Sequence, residues 1–256
     1  MTTSTIDIHP AASRAGTNRL AAIVRLQFTN PWTVLILPWL ILVAILILNM
    51  GIWWLIFTNV SGESLTNARE GTQYSGAISY GFVYMMVVAV QAINGYFPFA
   101  LGYGVTRRNY YLGTALAFVL LAAFYSLGFS ILAFLEDVTN GWWMGGTMFT
   151  AVYFGDGPLQ RLFIYFVILL FFFFIGSSIA AVYVRWKSLG MITFFAGLAF
   201  LLLGIGTLVT LTESWPAVGA WFEANGFLGT FAWTLVPTTI AAITGYLILR
   251  RATPKS

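Results

Sequence analysis

The chain has 256 residues, of which 59% are hydrophobic, 18% aromatic and only 8% charged. Soluble globular domains carry roughly 25% charged residues, so this composition excludes a water-soluble fold. The apolar residues form uninterrupted stretches near the ~20 residues that a helix needs to cross a bilayer, and they lack the alternation of membrane β-strands. The sequence therefore predicts an all-α membrane protein.

The chain begins with a polar segment that leads into an amphipathic one. Residues 19–28, RLAAIVRLQF, place apolar side chains at helical spacing with arginines elsewhere. This pattern predicts an N-terminal helix that lies in the membrane interface. We assign residues 1–32 to a cytoplasmic tail and this helix, 33–249 to a transmembrane domain and 250–256 to a second cytoplasmic tail.

Apolar stretches of spanning length follow the interfacial segment. The predicted spans are residues 33–57, 76–101, 111–135, 162–184, 191–211 and 230–249. Six transmembrane helices place both termini on the same side of the membrane. Short turns, at 102–110 and 185–190, then alternate with longer loops, at 58–75, 136–161 and 212–229.

The charged residues orient this arrangement, because Lys and Arg concentrate in cytoplasmic segments. With both termini inside, ten of the twelve basic residues lie inside and seven of the eight acidic residues lie outside. The exceptions are Arg69, Arg161 and Asp7. We therefore expect cytoplasmic termini and extracytoplasmic long loops.

Several kinds of chemistry are missing from the sequence. There is no cysteine and no Gly-x4-Gly-Lys-Ser/Thr phosphate loop, and the single histidine, His9, lies in the polar tail. No predicted span contains the paired acids that ion-coupled carriers bury. Glu136 and Asp137, the nearest acids, are interpreted as a solvated helix end. We expect no enzyme activity, no cofactor, no metal and no nucleic-acid partner.

Uncharged polar residues form a stripe on the second predicted span. Tyr80, Tyr84, Gln91 and Asn94 are separated by 4, 7 and 3 residues, which places them near one face of a regular helix. Two interpretations remain open. The stripe joins neighbouring helices through packing and hydrogen bonds, or it lines a translocation path.

The segment 98–118, PFALGYGVTRRNYYLGTALAF, places two arginines between a glycine-rich helix end and an aromatic helix start. It resembles the short cytoplasmic connection between the second and third spans of type-2 ABC exporter permeases. The plan of an interfacial helix, six spans, cytoplasmic termini and no ATPase domain is similar too. The resemblance extends over almost the whole chain.

This resemblance implies a permease subunit of an ATP-driven exporter in a bacterial inner membrane. Such a subunit pairs with a second permease copy, identical or related, and couples to a separate cytosolic ATP-binding cassette ATPase. The residues expected to contact the ATPase are Gly104, Thr106, Arg107, Arg108 and Asn109. The alternative for the two arginines is that they only anchor topology.

The scarcity of charge within the spans favours an amphipathic or hydrophobic substrate, because a hydrophilic one needs polar groups to replace its hydration. Two other function classes remain open. One is a membrane protein that acts in assembly or regulation without forming a path. The other is an ion-coupled carrier, against which the missing buried acids weigh.

Overall fold

The structure is a computed structural model that describes residues 12–252. Within this range the chain folds into helices that are joined mostly by short connections, and no strand occurs there. The predicted all-α class is confirmed for this part of the chain. Residues 1–11, with His9, and residues 253–256 of the predicted tails lie outside the described residues.

The helices follow one another with few long connections. Two of them begin or continue through a π-helical turn, and the long connection after α6 contains a short 3₁₀ turn. In chain order the elements are α1 Ala12–Gln27, a π turn Trp32–Ile36, α2 Leu37–Asn59, α3 Glu63–Thr72, α4 Ser79–Gln91, a π turn Ala92–Tyr96, α5 Phe97–Gly102, α6 Arg107–Val138, a 3₁₀ turn Val152–Phe154, α7 Pro158–Leu211, α8 Trp215–Trp233 and α9 Leu235–Arg251.

Within the described residues, five helical stretches are long and apolar enough to cross a membrane. They are Trp32–Asn59, Ser79–Gly102, Arg107–Val138, Pro158–Leu211 and Trp215–Arg251. This finding supports a membrane-embedded protein. It differs from the six predicted spans because one predicted pair, 162–184 and 191–211, is joined by helix rather than by a loop.

The longest of these stretches, α7, contains 54 residues. A straight helix of that length measures about 80 Å, more than twice the thickness of the hydrocarbon core. Lys187 interrupts it with φ 57° and ψ −146°. The turn predicted at 185–190 is therefore wrong in extent, because helix continues up to this residue and resumes directly after it.

The predicted outer loops are also more helical than expected. Residues 58–75 contain α3, and most of 212–229 belongs to α8. Pro216 lies in the first turn of α8, where a missing N–H costs no helical hydrogen bond. Gly226, with φ 60°, interrupts the same helix.

The helices pack around the first half of α7, which contacts α4, α6 and α9. Stacked aromatic rings join α6 to α7, with Phe118 and Phe173 centroids 4.9 Å apart. Gly113 lets α1 approach α6 closely, because a Cβ at this position would lie 2.7 Å from Ile23. After Lys187 the side chains of α7 are mostly exposed.

The two ends of the bundle carry opposite charge. We call one the basic end, which is formed by the start of α6, the break in α7 and the ends of α1 and α9. Its described basic residues are Arg25, Arg107, Arg108, Arg185, Lys187, Arg250 and Arg251. We call the other the acidic end, which is formed by α3, the connection from α6 to α7, and the turn from α7 to α8 with the first half of α8. Its acidic residues are Glu63, Glu70, Glu136, Asp137, Asp156, Glu213 and Glu223.

Candidate functional site

The predicted ATPase-contacting segment lies at the basic end, where α5 gives way to α6. Gly104 has φ +77°, a left-handed conformation that favours glycine. The Val105 N–H donates to the Ala100 carbonyl at 3.2 Å, which closes the end of α5. Thr106 then caps α6, because its side-chain oxygen accepts from the Asn109 N–H at 3.3 Å.

This cap corrects the predicted inner turn at 102–110. Helix α6 begins at Arg107, so Arg107, Arg108 and Asn109 lie in its first turn rather than in a loop. The Thr106 cap is the physical reason, since it satisfies an N–H that the first turn of a helix would otherwise leave without a partner. The segment is consequently part of a rigid element of 32 residues.

The two arginines of this turn have different surroundings. The half-buried Arg107 donates from Nη1 to the Arg250 carbonyl at 3.0 Å, at the C-terminal end of α9. The last carbonyls of a helix lack helical partners, and a basic side chain there is favourable. Arg108 is exposed. Arg107 therefore joins α6 to α9, whereas Arg108 is available to a partner.

A groove of about 400 Å³ separates α1 from this turn, and we call it the turn groove. Its walls are mostly apolar, with a polar rim contributed by the first residues of α6. The residues that define it are Ile23, Leu26, Phe99, Tyr103, Thr106 and Asn109. The predicted interfacial helix and the predicted ATPase-contacting residues thus form the two sides of one groove.

The predicted stripe on α4 does not share a single environment. Tyr80 and Tyr84 are half-buried with ring centroids 5.7 Å apart, and the Tyr84 hydroxyl donates to the Thr33 carbonyl at 2.7 Å. Gln91 is exposed, whereas Asn94 is half-buried. Gln91 ends α4, whereas Asn94 lies within the π turn Ala92–Tyr96, whose wider winding changes the face on which the second amide lies.

Two polar atoms of the stripe lack a protein partner. Among the buried side-chain atoms of the described residues, the Tyr80 hydroxyl and Asn94 Oδ1 make no hydrogen bond. A buried polar atom without a partner is costly, so such an atom calls for a water or a ligand. In the chain, Tyr80 precedes and Asn94 follows Tyr84, whose hydroxyl contacts the first π turn.

A small polar cavity of about 50 Å³ lies between the π turn before α2 and the end of α4. Its polar walls are Gln27, Asn30, Thr33, Gln91 and Tyr96. Gln27 is only 4% exposed and donates from Nε2 to Thr114 Oγ1 at 3.0 Å. A polar space of this volume is large enough for ordered water.

Both π turns are held by tyrosine hydroxyls that donate to backbone carbonyls. Tyr125 donates to the Val34 carbonyl at 2.6 Å, and Tyr110 donates to the Ala92 carbonyl. Pro38 explains the first case. Proline has no backbone N–H to donate. It therefore gives no hydrogen bond to the Val34 carbonyl, which would be its partner in an α-helical turn, or to the Thr33 carbonyl, which would be its partner in a π turn. Tyr125 and Tyr84 supply the missing donors.

A buried carboxylate at the acidic end was missed by sequence reasoning. Glu136 is only 1% exposed, which corrects the interpretation of a solvated helix end. Its carboxylate accepts hydrogen bonds from backbone and side-chain donors of the following connection. The donors are the N–H groups of Met148 at 3.0 Å, Phe149 at 3.1 Å and Thr150 at 2.9 Å, Thr150 Oγ1 at 2.6 Å and Trp142 Nε1 at 2.8 Å.

The neighbouring acid also holds this connection in place. The half-exposed side chain of Asp137 pairs with Arg161, which is 8% exposed and donates from Nε to the Gly155 carbonyl at 2.8 Å. Tyr153 donates to the Ser75 carbonyl, and burial raises the pKa of its hydroxyl. These contacts fold residues 136–161 into a cap over the bundle.

Among the described residues, no group of three or more His, Cys, Asp or Glu side chains that could hold a metal ion comes together. In comparisons with known proteins, no family model, curated protein or solved structure matches the chain.

Proposed function

We propose that the chain is a permease subunit of an ATP-driven exporter, which forms the path for an amphipathic or hydrophobic substrate and couples to a separate cytosolic ATPase. The observation that carries the proposal is the turn groove with Arg108 beside it. An exposed guanidinium, a capped helix start and an apolar groove together suit docking to a protein partner. The resemblance of the same segment to the coupling turn of type-2 ABC exporter permeases supports the assignment.

The coupling would act through rigid helices. Helix α6 begins at the docking turn and extends for 32 residues, about 48 Å. The Arg107 hydrogen bond to α9 extends the same rigid unit. A displacement of the turn by the ATPase would therefore move α6 and α9 together.

The path in this proposal includes the stripe of Tyr80, Tyr84, Gln91 and Asn94. The exposed amide of Gln91 and the unpartnered atoms of Tyr80 and Asn94 provide polar contacts in otherwise apolar surroundings. The Tyr84 hydroxyl is already used between helices, which favours the packing interpretation for that residue. In this proposal a second permease copy supplies the opposite wall.

The topology of this proposal has six crossings, with α1 in the interface and the basic end in the cytoplasm of a bacterial inner membrane. The break at Lys187 supports two crossings within α7. Cysteines introduced singly at the exposed Ser64 and Ser188 test the orientation. An impermeant thiol reagent applied to intact cells should label the first and spare the second, and the reverse pattern would contradict the topology.

The function itself is tested by purification of the tagged chain from its native membrane. We expect an ATP-binding cassette ATPase to co-purify and its ATP hydrolysis in lipid to rise with an exported amphipathic compound. A chain that purifies without an ATPase, and whose deletion leaves efflux of such compounds unchanged, would instead favour an assembly or regulatory role.

A further inference from the structure

A crevice of about 440 Å³ opens on the side of the basic end, where α7 is interrupted and α9 passes beside it. We call it the lateral crevice. Its walls include Val182 and Trp186 before the break, Leu189 and Phe194 after it, and Ile248 of α9. Trp186 is 47% exposed and Leu189 75% exposed. The crevice is therefore apolar and open toward the surroundings of the bundle.

The backbone itself builds this crevice. Lys187 adopts φ 57°, which non-glycine residues rarely occupy, and so interrupts α7 between the wall residues Trp186 and Leu189. Gly190 allows the chain to pass close to Trp186, because a Cβ at this position would lie 2.4 Å from the Trp186 Cβ. The opening is a consequence of the fold rather than of side-chain positions.

Two cations flank the wall residue Trp186 in the chain, and each lies near an aromatic ring. The Arg185 guanidinium is 4.4 Å from the ring centroid of Trp186, and the Lys187 ammonium is 5.8 Å from that of Tyr183. Neither forms an ion pair in the described part of the chain, where the one ion pair is Arg161 with Asp137. The acids of the described chain lie at the opposite end.

We propose that the lateral crevice binds an anionic phospholipid. The acyl chain occupies the space beside Trp186 and Ile248, and the phosphate lies between Arg185 and Lys187. Basic pockets between helices at the cytoplasmic side are suited to anionic headgroups, and the apolar walls are suited to hydrocarbon. The three polar wall residues contribute only hydroxyls, and that of Thr193 already donates to the Leu189 carbonyl at 2.9 Å. The site requires a membrane but not the exporter function.

The site is tested with brominated lipids, which quench the fluorescence of a tryptophan that they contact. The full chain is reconstituted in phosphatidylcholine vesicles that contain a minor fraction of brominated phosphatidylglycerol or brominated phosphatidylcholine. The Trp186 signal is the difference between wild type and Trp186→Phe. A basic residue near anionic lipid contributes roughly fivefold to partitioning, so we expect brominated phosphatidylglycerol to be preferred by about tenfold or more.

Two double variants and one single variant locate the preference for the anionic lipid. Arg185→Gln with Lys187→Gln should abolish it, whereas Arg25→Gln with Arg108→Gln removes the same charge elsewhere at the basic end and should retain it. Thr244→Phe keeps every charge but fills the crevice, and it should reduce quenching by both lipids. The Thr244 variant remains informative if the double charge variant does not fold.

Three results would overturn the proposal. Equal quenching of wild type by the two brominated lipids would mean that only ordinary neutral lipid fills the crevice. Equal loss of preference in the two double variants would mean that the net charge of the basic end attracts the lipid. Displacement of both lipids by an exported amphipathic compound would assign the crevice to substrate.

Discussion

Two acids of the acidic end, Glu136 and Asp137, and the exposed cations of the basic end use their charge in opposite ways. At the acidic end, Glu136 and the Asp137–Arg161 pair direct their hydrogen bonds to their own chain. At the basic end, Arg108 is exposed and Arg185 and Lys187 rest on aromatic rings. Charges that the chain satisfies itself stabilise the fold, whereas charges that it leaves at the surface are available to partners. Variants at the two ends should therefore differ in what they change.

The largest effect is expected for Glu136→Ala. This change leaves several buried N–H groups without an acceptor, and each such group costs roughly 1–3 kcal/mol. We expect the free energy of unfolding to fall by about 3 kcal/mol or more, with a lower melting temperature of the detergent-solubilised protein. Glu136→Gln should recover only part of this lost stability, because its amide NH₂ faces N–H donors and cannot accept hydrogen bonds from them.

The matched control is Glu63→Gln, at an exposed acid in the first turn of α3 at the same end. Its melting temperature should stay close to that of the wild type. Equal melting temperatures for Glu136→Ala and Glu63→Gln would contradict the idea that the acidic end is held by its internal carboxylate.

A second stability effect is expected where Pro38 leaves a carbonyl without a donor. Tyr125→Phe removes the hydroxyl that serves Val34, so the free energy of unfolding should fall by about 1–3 kcal/mol. In a Pro38→Ala background the new backbone N–H can serve that carbonyl, and the cost of Tyr125→Phe should shrink. A double-mutant cycle measures this coupling.

Tyr74→Phe is the control for this cycle, because Tyr74 is 72% exposed. Additive effects of Pro38→Ala and Tyr125→Phe would show that the hydroxyl contributes through packing alone. The proposed coupling between Pro38 and Tyr125 would then be wrong.

The contacts of these carbonyls show which structural features could be predicted from the sequence and which could not. Apolar runs were sufficient to predict the helical class, and Pro38 within the first run was a readable sign that a carbonyl would lack its donor. The identity of the donor was not readable, since Tyr125 is 91 residues from Val34. Local sequence patterns predict which backbone groups need a hydrogen-bond partner, whereas the long-range packing of the helices determines which residue is that partner.

The candidate sites also differ in whether their residues lie close together in the sequence. Thr106, Arg107, Arg108 and Asn109 were predicted together because one contiguous motif contains them, and the structure places the last three in the first turn of a helix. Glu136 was misinterpreted because its donors lie 6 to 14 residues later, in a connection with no recognisable period. An acid at the end of an apolar run, before a long aromatic and glycine-rich segment, was the available signal.

At the basic end, Arg108→Lys should affect partner binding rather than stability. Lysine keeps the charge that anchors topology but loses the forked guanidinium that can bind a carboxylate through two hydrogen bonds. Under the proposed function, we expect normal insertion and an ATPase affinity lower by about tenfold, measured by titration in nanodiscs. Arg107→Lys should have a smaller effect, since its contact is with the Arg250 carbonyl of its own chain.

Arg251→Lys is the matched control, because it makes the same change at an exposed arginine of the basic end. It should bind the ATPase as the wild type does. Full ATPase affinity and full coupling in the Arg107→Lys, Arg108→Lys double variant would leave these arginines with the topological role alone.

The smallest effect is expected in the stripe on α4, where Gln91→Leu and Asn94→Leu should reduce transport more than assembly. Gln91 is exposed, so its replacement leaves no buried group unpaired, whereas Asn94 is half-buried with an unpartnered oxygen. Under the proposed path, transport per purified complex should fall by several-fold while the yield of complex changes little. Val87→Leu, an apolar change at an exposed position one turn earlier, should leave both quantities unchanged. If the two leucine variants instead lower the yield while the remaining complexes transport normally, the stripe joins helices. The polar residues between the two ends would then stabilise the fold, as Glu136 does, rather than contact a partner or substrate.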